Sequence, residues 1–239
     1  ALGVDLGSSP FVSGRQVLVE GPTEYYVVTA VANYLHNVLD RDIFDWPGIS
    51  VMPVRGAPDV IGKASWLASE GINYAILLDS DSEGQEVEEK IENHHEDIDD
   101  ERVVLLRKGA VEEGLVIEDM FAPELYISAF NAEYEDYTSE LEAEFEPAEI
   151  EQDGHRSWQI GDLEYEGTDL PNVLEDYLSQ QPVSEELSNA DGEIELRKRQ
   201  IAERIASKLN NAKVDDSHLD AFNPLFGDIG SALNTGDRR

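Results

Sequence analysis

The chain has 239 residues, enough for one large domain or for a core domain with an appendage. It contains 52 acidic and 17 basic residues, which gives a formal net charge of −35. The acids are spread along the whole chain. We interpret this pattern as halophilic, because concentrated salt screens the repulsion that would otherwise oppose folding. An ordinary acidic protein with an acidic tail is the alternative.

The composition excludes several classes of protein. The chain has no cysteine, so disulfide frameworks and thiolate zinc sites are ruled out. No apolar run is long enough to span a membrane and no signal peptide is visible, so we expect a cytoplasmic protein. The first residue is Ala1 rather than methionine, and we expect either a processed chain or a fragment of a longer one.

Hydrophobic patterning in the first 110 residues predicts strands that alternate with helices. After a lead-in over residues 1–15, the predicted strands are 16–19, 49–54, 74–78 and 103–106. The predicted helices are 22–37, 57–70 and 82–96. Alternation of this kind predicts an α/β fold with a doubly wound, mostly parallel four-stranded sheet flanked by helices.

The pattern changes in the second half of the chain. Residues 112–132 predict one helix or a broken pair, and the acidic stretch that follows predicts one hairpin near 158–165. Further helices are predicted at 171–180 and 193–209, with an apolar patch near the C-terminus. We therefore expect a catalytic domain over residues 1–130. Residues 131–239 are expected to form an acidic, mainly helical extension that completes the active site.

Acidic residues follow two of the predicted strands. Glu20 ends the first strand and Glu24 lies one helical turn further on, while Asp79 and Asp81 end the third strand. The carboxyl ends of parallel strands meet at one edge of a sheet, so these carboxylates are expected to converge there. Converging carboxylates without matching cations favour a divalent metal site. The alternative is that they are solvated turn residues in a chain with 52 acids.

These motifs resemble a known family. Glu20-Gly21 and Asp79-Ser80-Asp81 resemble the Toprim domain that topoisomerases, bacterial primases and a family of nucleases share. The segment 19–24, with its second glutamate four residues after the first, is more closely similar to the OLD (overcoming lysogenization defect) family of ATP-dependent endonucleases. The resemblance covers residues 1–130 and implies a Toprim-like fold.

The resemblance also implies an activity and partners. It implies a DNA endonuclease or nickase that uses two Mg²⁺ or Mn²⁺ ions. It implies as well an N-terminal ABC-type ATPase domain that supports dimerisation. No phosphate loop of the form Gly-x-x-x-x-Gly-Lys-Ser/Thr occurs here, so we expect the C-terminal nuclease part alone.

Two further site residues come from this resemblance. The segment 118–121 matches a family setting that carries another acid, for which we prefer Glu118 to Asp119; a helix-start acid pair is the alternative. Lys198 matches a family lysine that would stabilise charge on the phosphate, with Arg197 and Arg199 as rivals and a merely cationic helix face as the alternative.

The resemblance thus implies two overlapping sets of residues. The implied metal ligands are Glu20, Glu24, Asp79, Asp81 and Glu118. The implied catalytic residues are Glu20, Glu24, Asp79, Asp81 and Lys198.

Other functions fit the same pattern less well. A receiver-like Mg²⁺-binding regulatory module also carries acids at strand ends, but it has the acid pair after the first strand and a single aspartate after the third, the reverse of this chain. A Toprim module that binds nucleic acid without cutting it is the other alternative. Because the overall charge repels DNA, we expect the basic residues of 197–213 to form a local positive strip.

Overall fold

The computed structural model describes residues 14–41, 43, 46–137, 148–152, 155–211 and 214–235. Most of the expected lead-in lies outside the described residues, as does part of the acidic stretch after residue 137. Within the described part of the chain, no helix is both long and apolar enough to cross a membrane.

A four-stranded parallel sheet forms the centre of the molecule, as predicted. Its strands are β1 (Arg15–Val19), β2 (Ile49–Pro53), β3 (Asn73–Leu78) and β4 (Val103–Leu105). They are ordered β2-β1-β3-β4, and every neighbouring pair is parallel. Since β1 and β3 are the central pair, the two acidic motifs that follow them emerge side by side at the carboxyl edge of the sheet.

Helices cover both faces of this sheet. The first three are α1 (Pro22–Asn37), α2 (Ala57–Ser69) and α3 (Ser82–His94). Leu18, Ile76 and Leu78 point to one face and pack with buried residues of α2 and α3. Val17 and Leu77 point to the other face, where they join a larger core with α1 and with helices from the second half of the chain. Alternating strand residues therefore fill both cores, which is why these strands are apolar throughout.

In the described residues of the second half, the chain adds five α-helices, short 3-10 helices and a small sheet. Residues 112–132 form a broken pair, a short 3-10 helix (Ile117–Met120) followed by α4 (Pro123–Glu133). The expected domain boundary at residue 130 lies inside α4. The remaining helices are α5 (Leu170–Ser179), α6 (Ser184–Leu187), α7 (Lys198–Asn210) and α8 (Phe222–Asn234).

The structure differs from the prediction in three places here. The strands β5 (Ala148–Gln152), β6 (His155–Ile160) and β7 (Leu163–Tyr165) form a three-stranded antiparallel sheet, where one hairpin was expected. The helix predicted from residue 193 begins only at Lys198. The C-terminal apolar patch belongs to α8, which packs against β3 and β4.

A close approach between α3 and the end of β3 shapes the site. The side chain of Asp81 caps α3, because its Oδ1 accepts hydrogen bonds from the backbone N–H groups of Glu83 (3.0 Å) and Gly84 (2.9 Å). Ser82 is the first residue of the helix. A Cβ atom on Gly84 would lie 2.0 Å from the carbonyl oxygen of Asp79. Only glycine therefore allows α3 to start where it does.

Gly84→Ala tests this constraint. The added methyl group collides with backbone, which cannot rotate away, so we expect a loss of at least ~3 kcal/mol in the free energy of unfolding, the upper end of overpacking costs. Gly62→Ala is the matched control, since Gly62 is an exposed residue within α2 with nothing within 4 Å of the added Cβ. That control should gain about 0.5–1 kcal/mol. Denaturant melts of both variants measure the difference, and equal stability would contradict the close approach.

Candidate active site

Glu20 lies at the carboxyl end of β1 and joins the two neighbouring strands. Its Oε1 accepts a hydrogen bond from the backbone N–H of Asp79 (2.9 Å), and its carbonyl accepts one from Gly56 (2.9 Å). Burial raises the pKa of Glu20 to about 7; the bond from Asp79 opposes this, and the charges of Glu24 and Asp81 add to it. Glu20 thus holds a proton far more readily than an exposed glutamate.

Glu24 lies in the first turn of α1, directly over Gly21. A Cβ on Gly21 would lie 3.1 Å from Oε2 of Glu24, so a glycine leaves room for the carboxylate. Burial raises the pKa of Glu24, while backbone N–H groups of Glu24 and Gly21 and the charge of Lys198 lower it.

The aspartate pair after β3 has two different environments. The pKa of Asp79 is raised well above its usual value, chiefly by burial and then by the charges of Glu118, Glu24 and Glu20. Asp81 uses Oδ1 to cap α3, which leaves Oδ2 for a ligand. The two carboxylates are therefore not equivalent.

Glu118 is brought to the same edge by the short 3-10 helix. Its side chain is only 2% exposed, and Oε1 has no hydrogen-bond partner among the described residues. Burial raises the pKa of Glu118 to about 7, Lys198 opposes the shift, and Glu24 and Asp119 add to it. A buried carboxylate oxygen without a donor has a strong tendency to take a proton or a cation.

Asp119, the neighbour of Glu118, is instead surrounded by hydrogen-bond donors. Its Oδ1 accepts from the hydroxyl of Tyr165 (2.7 Å) and the backbone N–H of Leu170 (2.9 Å). Its Oδ2 accepts from the N–H groups of Val116 (3.0 Å) and Asp169 (2.7 Å). Burial raises the pKa of Asp119, and these four donors oppose the shift. This carboxylate is used within the fold, where it ties the 3-10 helix to β7 and to the start of α5.

Lys198 is the basic residue whose charge acts on acids of the site. It lowers the pKa of both Glu24 and Glu118. Its rivals are engaged elsewhere: Arg197 pairs with Glu133 (3.3 Å), and Arg199 pairs with Glu203 (3.0 Å).

The start of α7 is fixed by two side chains. The backbone N–H of Leu196 donates to Glu175 (2.8 Å), and that of Arg197 donates to the hydroxyl of Tyr134 (3.2 Å). These bonds hold residues 196 and 197 outside the helix and make Lys198 its first residue. Sequence periodicity carries no sign of them, which is why the helix was predicted too long.

The structure thus brings together all six predicted site residues. We call the five acids the carboxylate cluster; its members are Glu20, Glu24, Asp79, Asp81 and Glu118. As placed, no three Asp, Glu or His side chains among the described residues surround a common point as metal ligands do. In this cluster Glu118 is buried, the other four acids are half-buried, and Lys198 lies beside them.

Sequence reasoning missed the residues that hold the cluster in place. Ser80 is fully buried; its N–H donates to Leu115 (2.9 Å), and its Oγ accepts from the N–H of Leu115 (3.1 Å). Lys108 donates to the carbonyls of Asp119 and Phe121, so it braces the 3-10 helix from the other side. The one sequence signal for Ser80 is its place between two acids, and Lys108 has none.

Comparisons with known proteins agree with this geometry. Residues 11–81 match the family described as overcoming lysogenization defect protein-like, TOPRIM domain. No curated protein shows significant sequence similarity to the chain. The chain is similar in structure to the C-terminal region of the Xanthomonas campestris pv. campestris OLD protein, with 18% identity and a TM-score of 0.47, covering 96% of this chain and 100% of that one. For the C-terminal region of the Burkholderia pseudomallei OLD protein the identity is 13% and the TM-score 0.47, covering 93% and 98%.

The matched segment contains β1 to β3 together with Glu20, Glu24, Asp79 and Asp81. Over residues 11–81 the chain is thus similar to the OLD-like TOPRIM domain family.

Proposed function

We propose that this protein is a divalent-metal-dependent phosphodiester hydrolase that cuts or nicks DNA. The observation that carries the proposal is the carboxylate cluster, five acids at one sheet edge. Burial and neighbouring acids raise the pKa of Glu20, Asp79 and Glu118, and the charge of Lys198 opposes the shift at Glu118. Acids arranged in this way are costly to the fold. Their retention therefore indicates a ligand that compensates them.

The donor chemistry of the cluster fits Mg²⁺ or Mn²⁺. Carboxylate oxygens are the ligands these ions prefer, and the five side chains offer enough of them for two ions with waters completing each shell. Oε1 of Glu118 is a buried oxygen without a hydrogen-bond partner among the described residues. Since no three side chains surround a common point as placed, metal binding on this proposal includes rotation of side chains.

Two bound ions would supply an activated water and stabilise the leaving oxygen. The protein's own residues supply the rest. Glu20 and Asp79 fix the cluster to the two central strands through the hydrogen bond between them. Lys198 presents a cation beside Glu24 and Glu118, where it can stabilise charge that develops on the phosphate. On this proposal the attacking group is water, and no side-chain nucleophile is required.

One observation favours the alternative, a Toprim or receiver-like module that binds a metal without cutting. Most of the basic residues at the start of α7 and within it contact other side chains of the protein. Arg197 and Arg204 both pair with Glu133, and Lys208 donates to Ser128. The expected positive strip is therefore weaker than the sequence indicated, and affinity for DNA is expected to be low.

An ABC-type ATPase domain, with a dimer formed through it, is the proposed partner that raises this affinity. This part of the proposal rests on the similarity of residues 19–24 to the OLD-family motif.

Metal binding has a readout that is independent of activity. Glu20 and Glu118 have folded-state pKa values of about 7 against an ordinary 4.5. The stability they contribute is fully present below about 4.5 and is lost as the pH rises through about 7. Without metal, the melting temperature should therefore fall over this pH range, and Mn²⁺ should restore it most strongly above pH 7.

Glu118→Gln should flatten both the pH dependence and the Mn²⁺ effect. Glu89→Gln removes one charge from an exposed position on α3 and should change neither. Thermal melts with EDTA or Mn²⁺ make the comparison. A Mn²⁺ effect of equal size in both variants would show that the ion binds elsewhere.

Cleavage of supercoiled plasmid with Mg²⁺ or Mn²⁺ tests the function itself. Glu20→Ala and Asp79→Ala should abolish nicking, because each removes one carboxylate from the cluster, while far-UV circular dichroism shows that the fold persists. EDTA should abolish cleavage by the wild type. Full activity in either variant would remove that residue from the site.

Lys198→Ala separates catalysis from DNA binding. Loss of a charge-stabilising donor typically costs about 10²–10³ in rate. We expect single-turnover cleavage to slow by this factor with near-normal affinity. Arg199→Ala should show the reverse, a modest loss of affinity at a near-normal cleavage rate. If the two variants exchange behaviour, Arg199 is the catalytic cation.

A further inference from the structure

A cleft runs along the outer side of α1 from Tyr25, the residue after Glu24. We call it the Tyr25 cleft; its volume is about 470 Å³, and it lies between α1 and the edge strand β2. The residues used below are Tyr25, Thr29, Asn33, His36 and Trp46. This volume falls in the range of small-molecule sites, roughly 300–1,000 Å³.

The Tyr25 cleft has no acidic lining residue among the described part of the chain. That is unusual in a chain with 52 acids. The cleft along the opposite edge strand shows the contrast, since it is lined by Glu88, Glu89, Glu101, Glu112, Glu113 and Asp228. The Tyr25 cleft is therefore a surface that an anionic chain can approach without meeting a carboxylate.

Two polar side-chain atoms of residues that line the Tyr25 cleft form no hydrogen bond with the described residues. Thr29 Oγ1 and His36 Nδ1 are buried and have no hydrogen-bond partner among the described residues. Asn33, between them on α1, accepts a hydrogen bond from the indole N–H of Trp46 (2.9 Å), which fixes its amide. Buried polar atoms are usually hydrogen-bonded, so Thr29, one helical turn from Tyr25, points to a ligand with a polar edge. His36 lies about 10 Å further along α1, beyond the reach of the same small ligand.

A chain of contacts connects the Tyr25 cleft with the active site. Tyr25 follows Glu24 directly, and its side chain is 36% exposed. Its ring packs edge-on against Tyr26, with 5.5 Å between ring centroids. The guanidinium of Arg199 lies over the ring of Tyr26 at 5.5 Å, and Arg199 is adjacent to Lys198. Two aromatic rings and a cation thus lead from the cleft to the catalytic lysine.

We propose that the Tyr25 cleft binds an unpaired nucleobase of the DNA strand whose phosphate lies at the carboxylate cluster. Tyr25 stacks on the base, Thr29, one helical turn further along α1, hydrogen-bonds to its polar edge, and Arg199 contacts the adjoining phosphate. This inference rests on the proposed function and gives its substrate class, which is single-stranded or locally unpaired DNA. A base in a duplex is stacked and paired, so it cannot enter the cleft.

The proposal accounts for how so acidic a protein can hold DNA. Phosphate contacts weaken as salt rises, whereas stacking of a base on an aromatic ring does not depend on charge. One contact from Arg199 and one from Lys198 predict a shallow salt dependence, a slope of roughly −0.7 for each phosphate neutralised on a single strand. Affinity for single-stranded DNA should therefore survive in molar KCl.

Fluorescence anisotropy with a labelled single-stranded oligonucleotide tests the proposal. Ca²⁺ replaces Mg²⁺, and a gel confirms that the oligonucleotide stays intact. Tyr25→Ala should weaken binding about tenfold or more, since it removes a stacking ring. Tyr25→Phe, which keeps the ring, should bind within about twofold of wild type. Thr29→Val removes only the hydroxyl at nearly unchanged volume and should weaken binding about three- to tenfold.

The outcomes are distinct. Equal affinity of wild type and Tyr25→Ala for the single strand, or equal affinity of the wild type for a duplex of the same sequence, would overturn the proposal. Because the assay needs no cleavage, its failure can be distinguished from a failure of the proposed function. If wild-type protein fails to cut plasmid while Tyr25 still determines single-strand affinity, nuclease activity is excluded and the Tyr25 cleft stands as a nucleic-acid site.

Discussion

Repulsion among buried carboxylates is the constraint on which the rest of this structure depends. Burial and neighbouring charges raise the pKa of Glu20, Asp79 and Glu118 together. Left to themselves, such groups would turn towards solvent. Hydrogen bonds within the fold prevent this movement. Ser80 binds the loop before the 3-10 helix, and Lys108 binds the carbonyls that follow Glu118. Most of the polar contacts around the site serve to keep acids where they repel one another.

The same logic separates residues that are adjacent in sequence. Asp119 receives four hydrogen bonds, whereas Oε1 of its neighbour Glu118 receives none among the described residues. Arg197 and Arg199 have carboxylate partners of their own, whereas Lys198 acts on the cluster. In both cases the group that the fold leaves uncompensated is the one suited to a ligand.

The sequence predicted the sheet well, because strands buried on both faces are short, apolar and bounded by turn residues. It also placed Glu20, Glu24, Asp79 and Asp81 at one edge, since parallel strands align their carboxyl ends. It predicted the second half less well. The small sheet has little apolar alternation, and the start of α7 depends on Glu175 and Tyr134, which are distant in sequence. Positions set by long-range hydrogen bonds leave no local periodicity to read.

The choice between Glu118 and Asp119 shows this limit most clearly. Both belong to one short segment and carry the same charge, so local sequence treats them alike. Only the arrival of Tyr165, Asp169 and Leu170 around Asp119 distinguishes them, and those residues lie some 50 positions further on. Electrostatic roles in this site are therefore properties of the assembled fold.

The anchoring of Asp119 by later residues also determines when the site exists. A chain leaves the ribosome from its N-terminus at about 5–20 residues per second, so Lys198 follows Glu118 by roughly 4–16 s. During that interval the acids have been made. The set of donors that hold Asp119 is still incomplete, and the lysine that faces Glu118 is absent. On the proposed function, a nascent or truncated chain carries the ligands of a nuclease without its completed centre.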